Sequence, residues 1–255
     1  MDLHLPTANL DRYKSASQRA RVGTESWGAA NFFCPSCQSP RLKPAPQGFA
    51  AVDYFCPSCE SPFQLKSQSR PIGAKIVDAA YSEMKRAIVE DRTPNLYVLH
   101  YDLADWAVRS VILVPHFAFA LSAVEKRPPL APTARRAGWV GCNILLDKIP
   151  EDARIPIVQS GEFRPTSEVR SAYERLRPLE KLQSEKRGWT LDVLNVVRSL
   201  KKAEFSLSDV YAHTAALAKL HPNNAHVRDK IRQQLQVLRD LGLLAFLSPG
   251  SYRLN

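Results

Sequence analysis

Asp53 stands eleven residues before Gln64, and Lys66 follows two residues later. In a strand, residues i and i+2 project from one face, so Gln64 and Lys66 point the same way. A neighbouring strand that ends near Asp53 would bring its carboxylate to their edge. The resulting pattern, D-x(10)-[E/Q]-x-K, is that of a one-metal nuclease site. The Asp53 carboxylate, the Gln64 amide oxygen and the Leu65 backbone carbonyl are hard oxygen donors suited to Mg2+. Lys66 would hold or activate an attacking water and offset negative charge building on a phosphate. Spacing alone leaves open an exposed strand with a surface Asp and Lys. Gln64 is also a weaker Mg2+ donor than a carboxylate.

A second group is made of sulfur. Cys34 and Cys37 form one C-P-S-C, Cys56 and Cys59 another, with 18 residues between the pairs. Each C-x-x-C sets two sulfurs on one knuckle, and two facing knuckles complete a tetrahedron around Zn2+. Four thiolates leave no position for water, so the expected role is structural. Two disulfides are the competing reading. An odd total of five cysteines and the lack of an export signal argue against them. Cys142 remains, and is expected as a small buried apolar residue. His4, His100, His116, His213 and His221 show no ligand spacing and read as surface or core histidines.

These groups need a scaffold. The 255 residues suffice for one large domain or two modest ones, with 45% hydrophobic and 24% charged side chains. Lys and Arg number 35 against 25 Asp and Glu, a net charge of +10 that points to a polyanionic partner. The longest apolar run, Val111 to Leu121, contains Pro115 and His116 and is too short to span a bilayer. The first thirty residues hold Asp2, Asp11 and Glu25 and no apolar core, so no secretory leader is expected and the location is cytoplasmic.

Helical spacing is expected over 8–27, anchored by Leu10, Tyr13 and Trp27. The zinc knuckles occupy 33–62. A strand over Phe49–Phe55 pairs with one over Pro62–Lys66. An amphipathic helix is expected over 73–90, with Ile76, Ala80, Met84 and Ile88 at helical spacing. On its solvated face Asp78 and Glu83 are expected, with a supporting role in the site as the alternative. Strands follow at 95–101, 108–114, 142–146 and 154–158. Residues 126–139, with three prolines and a glycine, cannot be regular.

After a polar stretch at 160–187, three helices are expected at 189–202, 206–220 and 224–241. Thr190, Ser206 and either Asn223 or Asn224 stand as their caps. A hairpin over 243–254 with a Ser-Pro-Gly turn completes a winged helix-turn-helix. Residues 181–255 carry 12 basic and 6 acidic side chains, so charge is denser there than in the rest.

Beyond spacing, the chain resembles the DpnI-like family of methyl-directed type II restriction endonucleases. The likeness is carried by Y-K-S-x-S-Q-x-A-R at 13–21, both C-x-x-C pairs and L-K-S at 65–67. It continues in L-A-P-T-A-R-R-A-G-W-V-G-C-N-I at 130–144, R-G-W-T at 187–190 and K-I-R-Q-Q-L-Q-V-L-R-D at 230–240. The resemblance implies an α/β fold with a PD-(D/E)XK nuclease core and an inserted four-cysteine zinc site. That domain would cover 1–183, with zinc ligands between 34 and 59, and a winged-helix DNA-binding domain would cover 184–255. It implies cleavage of double-stranded DNA at N6-methylated adenine in G-A-T-C, by Mg2+-dependent phosphodiester hydrolysis. Asp53 would be the motif's metal-binding Asp, Gln64 would take the place of its acidic ligand, and Lys66 would be its Lys. The Gln is a departure from the family pattern.

Reading N6-methyladenine in the major groove requires an apolar face beside a polar partner. Trp139 offers such a face, on a loop with Arg135 and Arg136, which suit guanine or phosphate. A core anchor is the other reading of Trp139. In the third C-terminal helix Val227, Ile231, Leu235 and Leu238 form a buried stripe. Asn224, His226, Arg228 and then Arg232 lie where a recognition helix meets base edges, with Lys230, Arg239 and Arg253 toward phosphate. The expected partner is methylated double-stranded DNA, with no membrane and no small-molecule cofactor, and the expected state is a monomer. The rival functions are a methyl-adenine reader or regulator disabled by Gln64, and a zinc-ribbon plus winged-helix transcription factor.

Overall fold

In a computed structural model the described residues are 2–8, 10–46, 48–49 and 51–255. The chain divides into two compact units that interleave along the sequence. One draws on 1–76, 93–116 and 153–174, the other on 77–92, 117–152 and 175–255.

The first unit is built on a seven-stranded sheet. Its strands are β1 (Lys43–Pro44), β2 (Tyr54–Phe55), β3 (Pro62–Gln68), β5 (Asn95–Tyr101), β6 (Val108–Val114), β9 (Ile155–Gln159) and β10 (Glu162–Phe163), adjacent in that order. β3 and β5 run parallel, with Leu65 opposite Tyr97, and the remaining pairs are antiparallel. A parallel pair needs a crossover, and residues 69–94 supply it. β5 is buried at every position except His100, the pattern of a strand covered on both faces. Helix α1 (Ala16–Asn31) and helix α3 (Thr166–Leu176) belong to this unit's layers. Phe32, just beyond α1, stacks on Tyr97 of β5, with ring centroids 3.9 Å apart.

The strands expected at 95–101 and 108–114 are present residue for residue. Other expectations are corrected. The first helix begins at Ala16, after a separate 3-10 turn at Leu10–Arg12, because Ser15 is extended. Leu10 and Trp27 are buried as expected, but Tyr13 lies outside the helix and is exposed. The strand expected over 49–55 is only Tyr54–Phe55, and Ala50 lies outside the described residues.

The second unit corrects the expected 73–90 helix. Residues Lys75–Ala80 form strand β4, and only Tyr81–Val89 form helix α2. Ile76 and Asp78 are buried while Val77 is 63% exposed, a period of two rather than 3.6. Asp78 is therefore a buried strand residue, whereas Glu83 is exposed and pairs with Arg86. β4 lies in a small sheet beside β8 (Gly141–Leu145), which pairs with β7 (Val124–Lys126). Cys142 on β8 is fully buried, as expected, with its thiol 3.4 Å from the Ala79 carbonyl oxygen.

The C-terminal part of this unit contains α4 (Ser184–Ser199), α5 (Leu207–Tyr211), α6 (Thr214–Leu220) and α7 (Val227–Asp240). Strands β11 (Glu204–Ser206), β12 (Leu244–Ser248) and β13 (Ser251–Leu254) form a sheet in the order β11-β13-β12. A break at 212–213 splits the second expected helix in two. Ser206 caps α5 with a full capping box, accepting from the Asp209 N–H at 3.1 Å while Asp209 Oδ2 accepts from the Ser206 N–H at 2.7 Å. Thr190 does not cap α4. It lies inside the helix, its hydroxyl 2.8 Å from the Lys186 carbonyl oxygen and 2.7 Å from Oε1 of the fully buried Gln234. The cap of α7 is His226 rather than Asn223 or Asn224, and Asn224 Oδ1 accepts from the His226 N–H at 2.8 Å. His221 is built in, stacked on Trp189 and paired with Asp192 at 2.7 Å.

Candidate functional site

β2 and β3 form a short hairpin, with Tyr54 opposite Phe63. Asp53 sits where β2 gives way to irregular chain. Its N–H donates to the Phe63 carbonyl at 2.8 Å, and its Oδ2 accepts from the Leu65 N–H at 2.7 Å. The carboxylate thus completes a ladder position that a strand residue would otherwise fill, which keeps the Leu65 donor paired. Burial pushes the Asp53 carboxyl above the ordinary range, and the Leu65 N–H pulls against it. Glu25 raises it further, while Lys66 and Arg21 lower it.

Asp53, Gln64, Leu65 and Lys66, the residues expected to act together, all line one cleft of about 220 Å³. Gln64 is 8% exposed. The cleft's donors are oxygens beside a Lys, a set that fits a hard cation such as Mg2+.

The cleft also contains Arg21, Thr24 and Glu25 from α1. Glu25 was not among the sequence candidates. Its only sequence signal is the i,i+4 spacing to Arg21, and their pair closes at 2.7 Å. The helix is tied to the hairpin. Thr24 Oγ1 lies 3.1 Å from Ser67 Oγ, and the Tyr54 hydroxyl donates to the Glu25 carbonyl at 2.8 Å. Gly28 permits that approach: a Cβ there would meet the Tyr54 hydroxyl at 2.5 Å.

The four expected cysteines converge. Their sulfurs all lie within 4.8 Å of one another, with Cys34 to Cys59 at 3.6 Å and Cys37 to Cys56 at 3.5 Å. Sulfurs about 2.3 Å from a shared zinc stand roughly 3.8 Å apart, whereas a disulfide needs about 2.05 Å. The cluster could therefore hold a metal such as zinc. Burial raises the Cys34 and Cys37 thiols. At Cys56 burial also pushes upward, but the N–H groups of Cys59 and Ser58 prevail and bring it down to about 6. Arg170 of α3, unanticipated from sequence, straps the first knuckle. Its guanidinium donates to the Cys34 and Ser39 carbonyls at 3.2 and 3.1 Å and to Gln38 Oε1 at 3.0 Å.

The residues expected at DNA fall in two places, both in the second unit. The irregular loop 127–140 is closed by Gly138 donating to Leu130 and Leu130 to Trp139. Arg135 and Arg136 are exposed and Trp139 is half-buried. The Arg136 guanidinium sits 4.7 Å from the Trp139 ring centroid, and a Cβ on Gly141 would meet that ring at 2.8 Å. The indole is therefore flanked by a cation and by bare backbone. On and before α7, His226, Arg228 and Arg232 are exposed and Asn224 is half-buried. Val227, Ile231, Leu235 and Leu238 are buried beneath them. Arg228 lies over the Tyr211 ring at 5.1 Å. No helix is long and apolar enough to cross a membrane among the described residues.

Comparison with known families accounts for nearly the whole chain. The family model DpnI, described as the Dam-replacing family, matches residues 1–182, and the model DpnI_C, the Dam-replacing HTH domain, matches 185–254. The chain belongs to the Dam-replacing (DpnI) family, with that family's helix-turn-helix domain at residues 185–254.

Proposed function

We propose that the protein is a type II methyl-directed restriction endonuclease with a PD-(D/E)XK core. It would hydrolyse phosphodiesters in double-stranded DNA at sites bearing N6-methyladenine, G-m6A-T-C. The observation that carries this reading is the meeting of Asp53, Gln64 and Lys66 in one cleft, in a chain of this family. Residues 1–183 form the cutting part and 184–255 the second DNA-binding part. The protein acts as a monomer in the cytoplasm.

The Asp53 carboxylate, the Gln64 amide oxygen and the Leu65 carbonyl would hold Mg2+. When bound, that cation polarises a phosphoryl oxygen and makes a coordinated water more acidic. Asp53 is held in place by the Leu65 N–H, so its free oxygen is aimed without rotation. The Lys66 ammonium positions the attacking water and meets the charge that grows on the phosphate. Cys34 and Cys37, together with Cys56 and Cys59 on the hairpin that follows Asp53, would hold Zn2+ as a structural brace. Arg135, Arg136 and Trp139 read one face of the duplex. Asn224, His226, Arg228 and Arg232 read it from the winged helix.

The test uses one plasmid in two preparations, adenine-methylated at G-A-T-C or unmethylated, with Mg2+ and a Lys66→Ala variant alongside. Discrete fragments from the methylated plasmid alone, lost in the variant, are the expected result. One observation favours a second reading: an amide stands at 64 where the motif carries an acid. A methyl-adenine reader that has lost cutting would bind methylated DNA in a gel shift and leave both plasmids whole.

A further inference from the structure

We propose that Phe49 and the apolar recess beside Asp53 seat the deoxyribose next to the scissile phosphate, so that a 2′-hydroxyl on that one sugar is rejected. The inference rests on the nuclease reading of the cleft and deepens it, by assigning the residue that reads the substrate's sugar. Asp53 has space on two sides. On one is the cleft with Gln64 and Lys66. On the other is a recess of about 620 Å³ whose wall includes Pro44, Pro46, Phe49 and Val52. Arg21 and Asp53 line both, so the two spaces adjoin. A charged junction thus passes into a wall of proline rings, an isopropyl group and a benzene ring.

Phe49 is 55% exposed. A lone exposed apolar side chain is ordinary. This one is set apart by being held against the site. The Ala45 N–H donates to the Asp53 carbonyl at 2.8 Å, which closes the 45–53 segment onto Asp53 itself. The Phe49 ring also packs edge to face with Phe55 of β2, their centroids 5.3 Å apart. One part of the ring is therefore supported by the hairpin, and the rest is offered to the recess. What meets it follows from the substrate. In a duplex the bases are stacked inside, out of reach unless they are flipped. The group that flanks each phosphate on the backbone is the deoxyribose. With a phosphate at the charged junction, the adjoining sugar falls against Phe49. Its C2′ is an apolar CH2 in DNA and bears a hydroxyl in RNA, the group by which a protein tells the two apart at one site. A hydroxyl pressed onto this wall loses water and gains no hydrogen bond, which is unfavourable.

The experiment gives the full-length, zinc-loaded protein Mg2+ and short methylated duplexes in which a single 2′-hydroxyl is walked along the cleaved strand. Wild type, Phe49→Ala and Phe49→Leu are compared by kcat and KM, each checked by its melting temperature. In wild type one sugar position should lower kcat/KM by roughly 10- to 100-fold, the size a pocket achieves against one misplaced group. Phe49→Ala removes that penalty and leaves the other positions as they were. On the all-deoxy duplex it raises KM by roughly 10-fold with kcat near wild type, the mark of a lost ground-state contact. Phe49→Leu, which keeps an apolar side chain on Phe55, lowers the penalty in part and decides the point if Phe49→Ala melts early. A penalty that persists in the folded variants overturns the assignment, since Phe49 would then only brace its loop. A wild type indifferent to the hydroxyl at every position overturns it as well. If wild type leaves the methylated duplex whole, the nuclease reading fails by itself. The same series is then read as binding by fluorescence anisotropy, where a loss at one sugar that Phe49→Ala abolishes keeps the sugar seat, and no such loss ends it.

Discussion

The cleft and the winged helix position their residues in opposite ways. In the cleft, Glu25 comes from α1, Asp53 from the end of β2, and Gln64 and Lys66 from β3. In the winged helix, Asn224, His226, Arg228 and Arg232 come from one short stretch, held by the buried stripe of α7. The first arrangement concentrates chemistry on a few groups that nothing else replaces. The second, on the proposed reading, would spread recognition over several side chains, each making a modest contribution. The cleft should therefore fail abruptly when one group is removed, and the winged helix should weaken by degrees.

The steepest failure should come from the brace. Stripping the cysteine cluster with a strong chelator, or replacing the buried Cys34 with Ser, should cost several kcal/mol, since structural zinc contributes folding energy directly. The melting temperature should fall by roughly 10 °C or more at about 2–4 °C per kcal/mol. Cutting should go with it, because Asp53 and Cys56 share one hairpin. An unchanged melting curve after complete removal of bound zinc would break the comparison at its first step.

Next comes Lys66→Ala. It should lower cleavage by at least about 10²–10³-fold, the cost of removing one preorganised charge-stabilising group. Its melting temperature should stay at the wild-type value, since Lys66 is only partly buried. A loss of only a few-fold would mean that the cleft spreads its work as the helix does.

Arg228→Ala should be milder. Removing one side chain that meets a base edge costs about 1–3 kcal/mol of binding and relaxes specificity at one position of the site. A uniform loss over all duplex sequences, with the slope of log affinity against log salt reduced by about 1, would instead make Arg228 a phosphate contact and sharpen the contrast within the helix.

Ser206→Ala should have the smallest effect. Losing an N-cap costs about 1 kcal/mol, or roughly 2–4 °C in a protein of this size. The box also predicts a pH trend. The Lys202 ammonium, then the Ser206 N–H and hydroxyl, hold the Asp209 carboxyl below the ordinary Asp range. Its contribution is thus present above that range and fades as pH falls beneath it. Calorimetry of wild type and Ser206→Ala between pH 7 and acid should show the gap between them closing. A gap that widens in acid would contradict the box.

Local signals account for much of what could be read in advance. β5 and β6 show as apolar runs of strand length, and the Cys spacing marks the knuckles. The 73–90 segment misled because Ile76 satisfies both periods. The buried Asp78 beside an exposed Val77 favours a strand, yet an acid offers no reason in sequence to be buried. Thr190 and Asn224 carry the right chemistry for caps. Whether they cap depends on where the helix begins, and for α4 that was settled by Gln183 and Ser184 upstream.

The sequence by itself marked the candidate ligands. Four cysteines at that spacing are chemically specific wherever they fold, whereas Asp53, Gln64 and Lys66 at theirs needed the family resemblance and the cleft that gathers them to stand as candidates. It also determined the C-terminal helix-turn-helix, whose faces follow from a single period. Only the tertiary structure decided which distant groups join them: Arg170 across the first knuckle, Gln234 under Thr190, and Glu25 beside Asp53. Each lies on a helix whose partner is far away in sequence. Helical periodicity tells which residues share a face, but not what that face will meet.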